Sequence, residues 1–247
     1  MRLSTHSRWR VTLAGSVLAA CASVAVADYP ATVLEDNPVA YWRLGEGAGP
    51  TATDATSNGY DLEYALVPAG DFGHPGAIAG DDDTAIHFTP NPPHASLGQP
   101  TTHPTLTRPN ATDLGFAAGQ SFSIEYWIKV APGNGSSGDA GIITKGYDSA
   151  QTQPWYLMRY RPNAGGIVDF FLRNPDDRFV NSTTSITDNR WHHVVGVYDS
   201  HAAVIRIFVD GFEEGTTSNV APNGYGTNDR PFTFQLHRNW ALPCRFA

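Results

Sequence analysis

Two adjacent histidines, two adjacent glutamates and a scatter of aromatic residues are what this chain offers to chemistry. The histidines are His192 and His193, a pair that suggests a metal site or an acid–base couple. They sit in a run rich in β-branched residues, where successive side chains point to opposite faces of a strand. The pair is therefore split, one ring inward and one at the surface, and is expected to be scaffold. The same argument separates Glu213 from Glu214. Glycoside hydrolysis with retention needs two carboxyl groups about 5.5 Å apart, which on a strand means alternate positions, and Glu125 stands alone on its segment. No Gly-x-Ser-x-Gly nucleophile elbow occurs. Recognition remains. Aromatic rings can form platforms for sugars, and Trp127, Trp155, Tyr156 and Tyr160 are the candidate ligand-binding residues. The competing reading is that aromatics in such a protein fill its core. Trp127 is distinctive because it breaks an otherwise polar strand face.

These residues are carried by short strand-like segments. In residues 121–130, Phe122, Ile124, Tyr126, Ile128 and Val130 share one face, and Ser121, Ser123, Glu125 and Lys129 share the other. Such period-2 alternation predicts a half-buried antiparallel strand. Residues 191–199 and 204–209, joined by a short polar turn, predict an adjacent antiparallel pair that ends at Asp210-Gly211. Further strands are expected at 39–44, 77–78, 84–88, 142–145, 155–160 and 167–172, with a helical turn at Val33-Leu34. Turn formers fill 53–59 and 132–141. Residues 91–112, proline-rich and poor in large apolar side chains, read as an irregular loop inserted in one domain. No internal repeat is present. Many short alternating strands with turn signals between them predict an all-β, antiparallel two-sheet sandwich.

The 247 residues are 41% hydrophobic, enough for one large all-β domain with a true core. The net charge of −8 and the lack of a basic cluster beyond the N-terminus exclude a nucleic-acid partner. Arg2, Arg8 and Arg10 precede an apolar run at 11–26 that is short for a bilayer span. Ala25-Val26-Ala27 fits a signal-peptidase site. Residues 1–27 are thus expected to be a signal peptide, and 28–247 a single exported domain. A second reading stays open, because Leu18-Ala19-Ala20-Cys21 matches a lipobox and would leave a lipid anchor on Cys21. No other run is long enough for a transmembrane span. Cys244 has no partner in the mature chain, so the domain must stand on its core rather than on a disulfide.

Trp191-His192-His193-Val194, followed by a strand ending in Val209-Asp210-Gly211, resembles the signature of the laminin-G-like (LamG) jelly-roll family. Pro38-Val39-Ala40-Tyr41-Trp42-Arg43-Leu44-Gly45-Glu46 is similar to the opening block of its bacterial secreted members, and residues 122–127 to their central strand. Thr144-Lys145-Gly146, the Tyr-rich residues 155–160 and Phe170-Phe171-Leu172 follow in the family's order. The resemblance covers about residues 31–235 and implies a concanavalin A-like jelly roll. The C-terminus departs from the pattern. Phe232-Thr233-Phe234 and Arg238-Asn239 begin it, but nothing in 240–247 resembles the closing strand that lies beside the N-terminal one. The expectation is a sandwich missing its last strand, with an atypical, truncated C-terminus.

The resemblance also implies calcium. Asp54-Ala55-Thr56-Ser57-Asn58-Gly59 is similar to the family's Asp-x-Ser-Gly-Asn-Gly loop, a source of calcium ligands. Asp54 and Asn58 align with it, and the alternative is a plain Asx turn. Asp81-Asp82-Asp83 reads as a solvated turn. The Glu-x-Asp-x-x-Glu run of glucanase relatives is absent. The functional expectation is therefore an exported, non-catalytic binding or adhesion module for glycan or extracellular protein ligands, with Ca²⁺ as its possible cofactor. Two alternatives stand beside it: a concanavalin-like glycoside hydrolase, disfavoured because no carboxylate pair is present, and a structural fragment of a larger surface protein.

Overall fold

The computed structural model describes residues 28–88, 104–109, 111–132, 139–147, 152–235, 240–242 and 244–246. The expected signal peptide and Cys21 lie outside these residues. The chain enters through a short helix, α1 (Tyr29–Glu35), whose N-cap Asp28 accepts the Ala31 N–H at 3.4 Å. This extends the helical turn expected at Val33-Leu34.

Strands follow in chain order: β1 (Ala40–Trp42), β2 (Thr51–Ala52), β3 (Leu62–Ala65), β4 (His74–Pro75), β5 (Thr84–Phe88), β6 (Thr105–Arg108), β7 (Phe122–Val130), β8 (Ala140–Lys145) and β9 (Trp155–Arg161). Then come β10 (Ile167–Arg173), β11 (Asp177–Asn181), β12 (Trp191–Asp199), β13 (Val204–Val209), β14 (Phe212–Ser218), β15 (Phe232–Gln235), β16 (Trp240–Leu242) and β17 (Cys244–Phe246). Among the described residues they form two antiparallel sheets. One runs β14-β13-β12-β7-β16-β5-β4, with β17 paired to both β1 and β7. The other runs β11-β10-β9-β8-β15-β6-β3-β2. This is the two-sheet jelly-roll sandwich.

The alternation of β7 is realised along its whole length: Phe122, Ile124, Tyr126, Ile128 and Val130 are buried, and the residues between them are half-buried. From the facing sheet come Tyr156, Met158, Tyr160, Phe170, Leu172, Phe232 and Phe234. Trp42 lies in the same core, stacked on Phe232 at 5.4 Å between centroids, with its indole N–H donating to the Tyr60 carbonyl at 2.8 Å. At Gly196 of β12 the sheets approach so closely that a Cβ would lie 2.8 Å from the Phe170 ring and 2.9 Å from the Met158 sulfur. A polar knot closes one end. Lys145, fully buried, donates from Nζ to the Asn228 carbonyl (2.7 Å), Asn228 Oδ1 (3.2 Å) and the Arg230 carbonyl (3.0 Å).

Three expectations need correction. The closing position is not empty: β17 pairs with β1 through Ala40↔Phe246 and Trp42↔Cys244, and with β7 through Cys244↔Tyr126. A ladder is made by backbone N–H and C=O groups, so it forms without the family's motif. The expected irregular insertion at 91–112 holds β6, which is hydrogen-bonded between β3 and β15. Its Thr-Leu-Thr-Arg alternation is too short, between prolines, to read as a strand. The strand expected at Ala77-Ile78 falls instead at His74–Pro75, paired to β5.

Candidate functional site

β7 and β12 pair in the register Trp191↔Lys129 and His193↔Trp127. Because even positions of β7 fill the core, these four side chains stand on the outer face of the first sheet. His192, one residue out of phase, points the other way. It is buried, with Nδ1 2.8 Å from Asp210 Oδ2 and Nε2 3.0 Å from Asp188 Oδ1. Asp210 also accepts the His193 N–H at 2.9 Å. The histidine pair is therefore divided between turn scaffold and outer face. Glu213 and Glu214 are divided too. Glu214 accepts from the Thr183 and Thr184 N–H groups, whereas Glu213 bonds Thr216.

Trp127 is half-buried. Its ring stacks on His193 at 4.9 Å and 30°, and its indole N–H donates to Tyr29 Oη at 3.0 Å. Helix α1 thus straps this part of the face. On its far side, His193 Nε2 lies 3.9 Å from Glu125 Oε2.

Beyond Trp127 the face opens into a cleft of about 350 Å³, lined by His74, Pro75, His87, Lys129, Ala131, Asn189 and Trp191. That is at the small end of ligand pockets, which run from roughly 300 to 1,000 Å³. One wall is the β7–β12 pair and the other is β4–β5, with the backbone of β16 between β7 and β5. Asn189 takes φ 62 in the turn before β12 and donates its N–H to Val130 O at 2.9 Å, which fixes the rim. The His74 and His87 rings lie 4.9 Å apart, and His74 Nε2 is 3.0 Å from Gly70 O. Burial holds His87 below its ordinary pKa of 6.5, against the pull of Asp71. Asp71 is itself buried, 3.6 Å from His87 Nδ1. No carboxylate is among the described side chains that line it.

Lys129 differs from the other cations. Arg43 pairs with Asp81 and Asp83, Arg108 with Asp113, Arg159 with Asp169, Arg173 with Asp177, Arg190 with Asp188 and Arg206 with Asp199. Asp81-Asp82-Asp83 is accordingly not a merely solvated turn, because two of its carboxylates neutralise Arg43. The Lys129 side chain has no ion pair or hydrogen bond among the described residues, and it lines the cleft.

The four aromatics proposed from the sequence do not meet. Trp127 is on the outer face of the first sheet. Trp155 is on the outer face of the second, buried in a small cluster with Leu157 and Phe171, the latter stacked at 4.7 Å. Tyr156 and Tyr160 are corrections: both face the core, 0% and 2% exposed, and Tyr156 Oη donates to Leu114 O. No ligand reaches them.

The calcium loop does not fit a cation either. Asp54 Oδ1 accepts from the N–H groups of Tyr41 and Thr56, and Oδ2 from Thr56 Oγ1 and the Tyr60 N–H, at 2.8–3.0 Å. A carboxylate has about four lone-pair sites, and all are taken by protein donors. Asn58 turns its amide N–H onto Val39 O at 2.9 Å. The loop is an Asx turn that pins β1.

The residues that sequence reasoning missed are Trp191, Lys129, His87, His74 and Asn189. One signal was present: Trp191 and Lys129 fall on the polar-phase positions of two strands already recognised as adjacent.

A family model described as the concanavalin A-like lectin/glucanases superfamily matches residues 101–243, more than half of the chain. Among solved structures, the binding domain of Paraclostridial Mosquitocidal Protein 1 is similar, with a TM-score of 0.63 and 15% identity over 86% of this chain and 49% of that one. The binding domain of botulinum neurotoxin serotype D has a TM-score of 0.54 and 14% identity, over 87% of this chain and 48% of that one. The binding domain of botulinum neurotoxin DC, in complex with SialylT, has a TM-score of 0.52 and 15% identity, over 86% and 48%. At these identities the likeness is one of fold, and the chain spans about half the length of these structures. No curated protein matches. Among the described residues no helix is long and apolar enough to cross a membrane.

Proposed function

The chain belongs to the concanavalin A-like lectin/glucanases superfamily, and from that premise we propose that it is an exported, non-catalytic binding module for glycans. The site is the cleft between Trp191 and His87. One observation carries the reading: an aromatic ring, an ammonium without an ion pair, an imidazole pair and an amide converge on a cleft with no carboxylate among its described lining. Sugar rings present apolar C–H faces to aromatic rings and hydroxyls to such polar groups, which is the composition of a small-molecule site. Hydrolysis needs a second carboxyl group beside the first, and the cleft supplies neither. Export is supported by the basic–apolar–small pattern of residues 1–27. That three similar folds are binding domains is consistent with the reading. Calcium at Asp54 is not part of the reading, because the four bonds that carboxylate accepts from protein donors argue against a cation there.

The experiment is a glycan array probed with the secreted chain and with Trp191→Ala, followed by calorimetric titration of each hit. Removing the stacking ring should weaken binding at least tenfold, or about 1.4 kcal/mol. An empty array, or a variant that binds as the wild type does, would remove the proposal.

A further inference from the structure

We propose that the cleft selects saccharides bearing an anionic group, a carboxylate or a sulfate, and that Lys129 selects them. The inference rests on the glycan-binding reading of the same cleft and adds the chemical class of the ligand.

The chain carries a net charge of −8, and two lysines. Lys145 is buried on three oxygen acceptors. Each arginine whose side chain is described is also engaged: those named above with carboxylates, Arg161 with Asp139, Arg178 with the Asn219 and Asp177 carbonyls, and Arg230 with an interaction of its own. Lys129 alone, among the cations whose side chains are described, has no acceptor. Lys129 is half-buried as a residue, and a charge partly removed from water is usually paired. Among the described residues, the polar and aromatic groups that line the cleft with it are neutral or basic: Trp191 opposite on β12, Asn189 on the turn, and His74 and His87 across the cleft. The acids of the surrounding elements are engaged elsewhere, Asp188 of the turn with Arg190 and His192. Asp71 is buried against His87, and Glu125 lies toward His193.

Directly opposed residues of an antiparallel pair have Cβ atoms about 4.5–5.5 Å apart. A sugar ring stacked on Trp191 therefore has its ring substituents within reach of the Lys129 ammonium. A neutral sugar would leave that charge facing hydroxyls only. An anionic substituent gives it a charge-assisted hydrogen bond, which is the stronger interaction. The ammonium is a point charge and does not by itself distinguish carboxylate from sulfate.

The test is affinity electrophoresis of the secreted chain in gels holding polygalacturonate, dextran sulfate or neutral dextran, with Lys129→Gln, Lys129→Arg and Trp191→Ala run beside it. Thermal melts confirm that each variant is folded. The expected result is retardation by at least one anionic polymer. Lys129→Gln should weaken it at least tenfold, Lys129→Arg should preserve it, and Trp191→Ala should abolish it. The polygalacturonate and dextran sulfate arms separate the two anions. Retardation by neutral dextran equal to that by the anionic polymers overturns the inference and leaves the glycan-binding reading standing. Retardation by the anionic polymers that Lys129→Gln does not change also overturns it. No retardation by any polymer, joined to an empty glycan array, overturns both.

Discussion

Lys129 and Trp191 stand directly opposite each other in the register of β7 and β12, both on the face turned away from the core. Neither belongs to the buried core. A cation and an aromatic ring held side by side on the rigid centre of a sheet form a preorganised pair, because the backbone ladder sets their spacing. That relationship, rather than any motif, is what distinguishes this face.

The two tryptophans of the face should therefore separate in their effects. Trp127 is committed to His193 and Tyr29. Trp127→Ala should lower stability by about 1–3 kcal/mol, through lost packing and a lost hydrogen bond. Trp191→Ala should cost much less stability and most of the affinity. Urea titration of both variants beside glycan titration checks this, and equal losses of stability would refute the division of labour.

Gly196 marks the tightest approach between the sheets. An alanine methyl there meets Phe170 and Met158 below 3.0 Å. Overpacking of this kind costs about 1–3 kcal/mol. Gly196→Ala should lower the unfolding free energy by that amount, seen as a lower urea midpoint with an unchanged slope. A stable variant would mean that the core yields more easily than its packing implies.

The Lys145 knot is a structural device at the end of the second sheet. Lys145→Met keeps volume but strands the Asn228 and Arg230 carbonyls. The expected loss is about 2–3 kcal/mol, as for hydrogen bonds to a charged group. Proteolysis should then begin in the loop around Asn228. A variant as stable as wild type would show that the three bonds contribute little.

Acid should weaken the fold in part through Glu214. Burial tends to raise its pKa, but hydrogen bonds from Thr184 and Thr183 outweigh it and hold the pKa below the ordinary 4.5. The folded value is the lower one, so this stabilisation is present above the unfolded pKa and is lost as pH falls through the folded pKa. Glu214→Gln should flatten the decline in stability measured between about pH 5 and pH 3. An unchanged acid limb would assign it to other carboxylates.

The framework was legible where alternation is clean. Phe122–Val130 and Trp191–Asp199 show which residues face inward, and the split of His192 from His193 followed from that alone. Trp155-Tyr156-Leu157-Met158 was not legible. An unbroken apolar run hides its phase, and here Trp155 and Leu157 are buried on the outer face as well. The β17 ladder uses backbone groups that leave no motif. The cleft was invisible for a topological reason: His74, His87, Lys129 and Trp191 are distant in sequence, and only the order β12-β7-β16-β5-β4 gathers them. Asp54 was legible as a loop carboxylate, but the four donors that saturate it are set by the fold.

The most direct test of the glycan site is the tryptophan indole N–H region of a ¹⁵N-correlation spectrum, followed while a glycan hit is titrated into the full secreted chain. The account predicts a saturable shift of the Trp191 indole signal, with Trp42 and Trp155 unmoved. A saturable shift of Trp155 with Trp191 unmoved would place the ligand on the opposite sheet and contradict it.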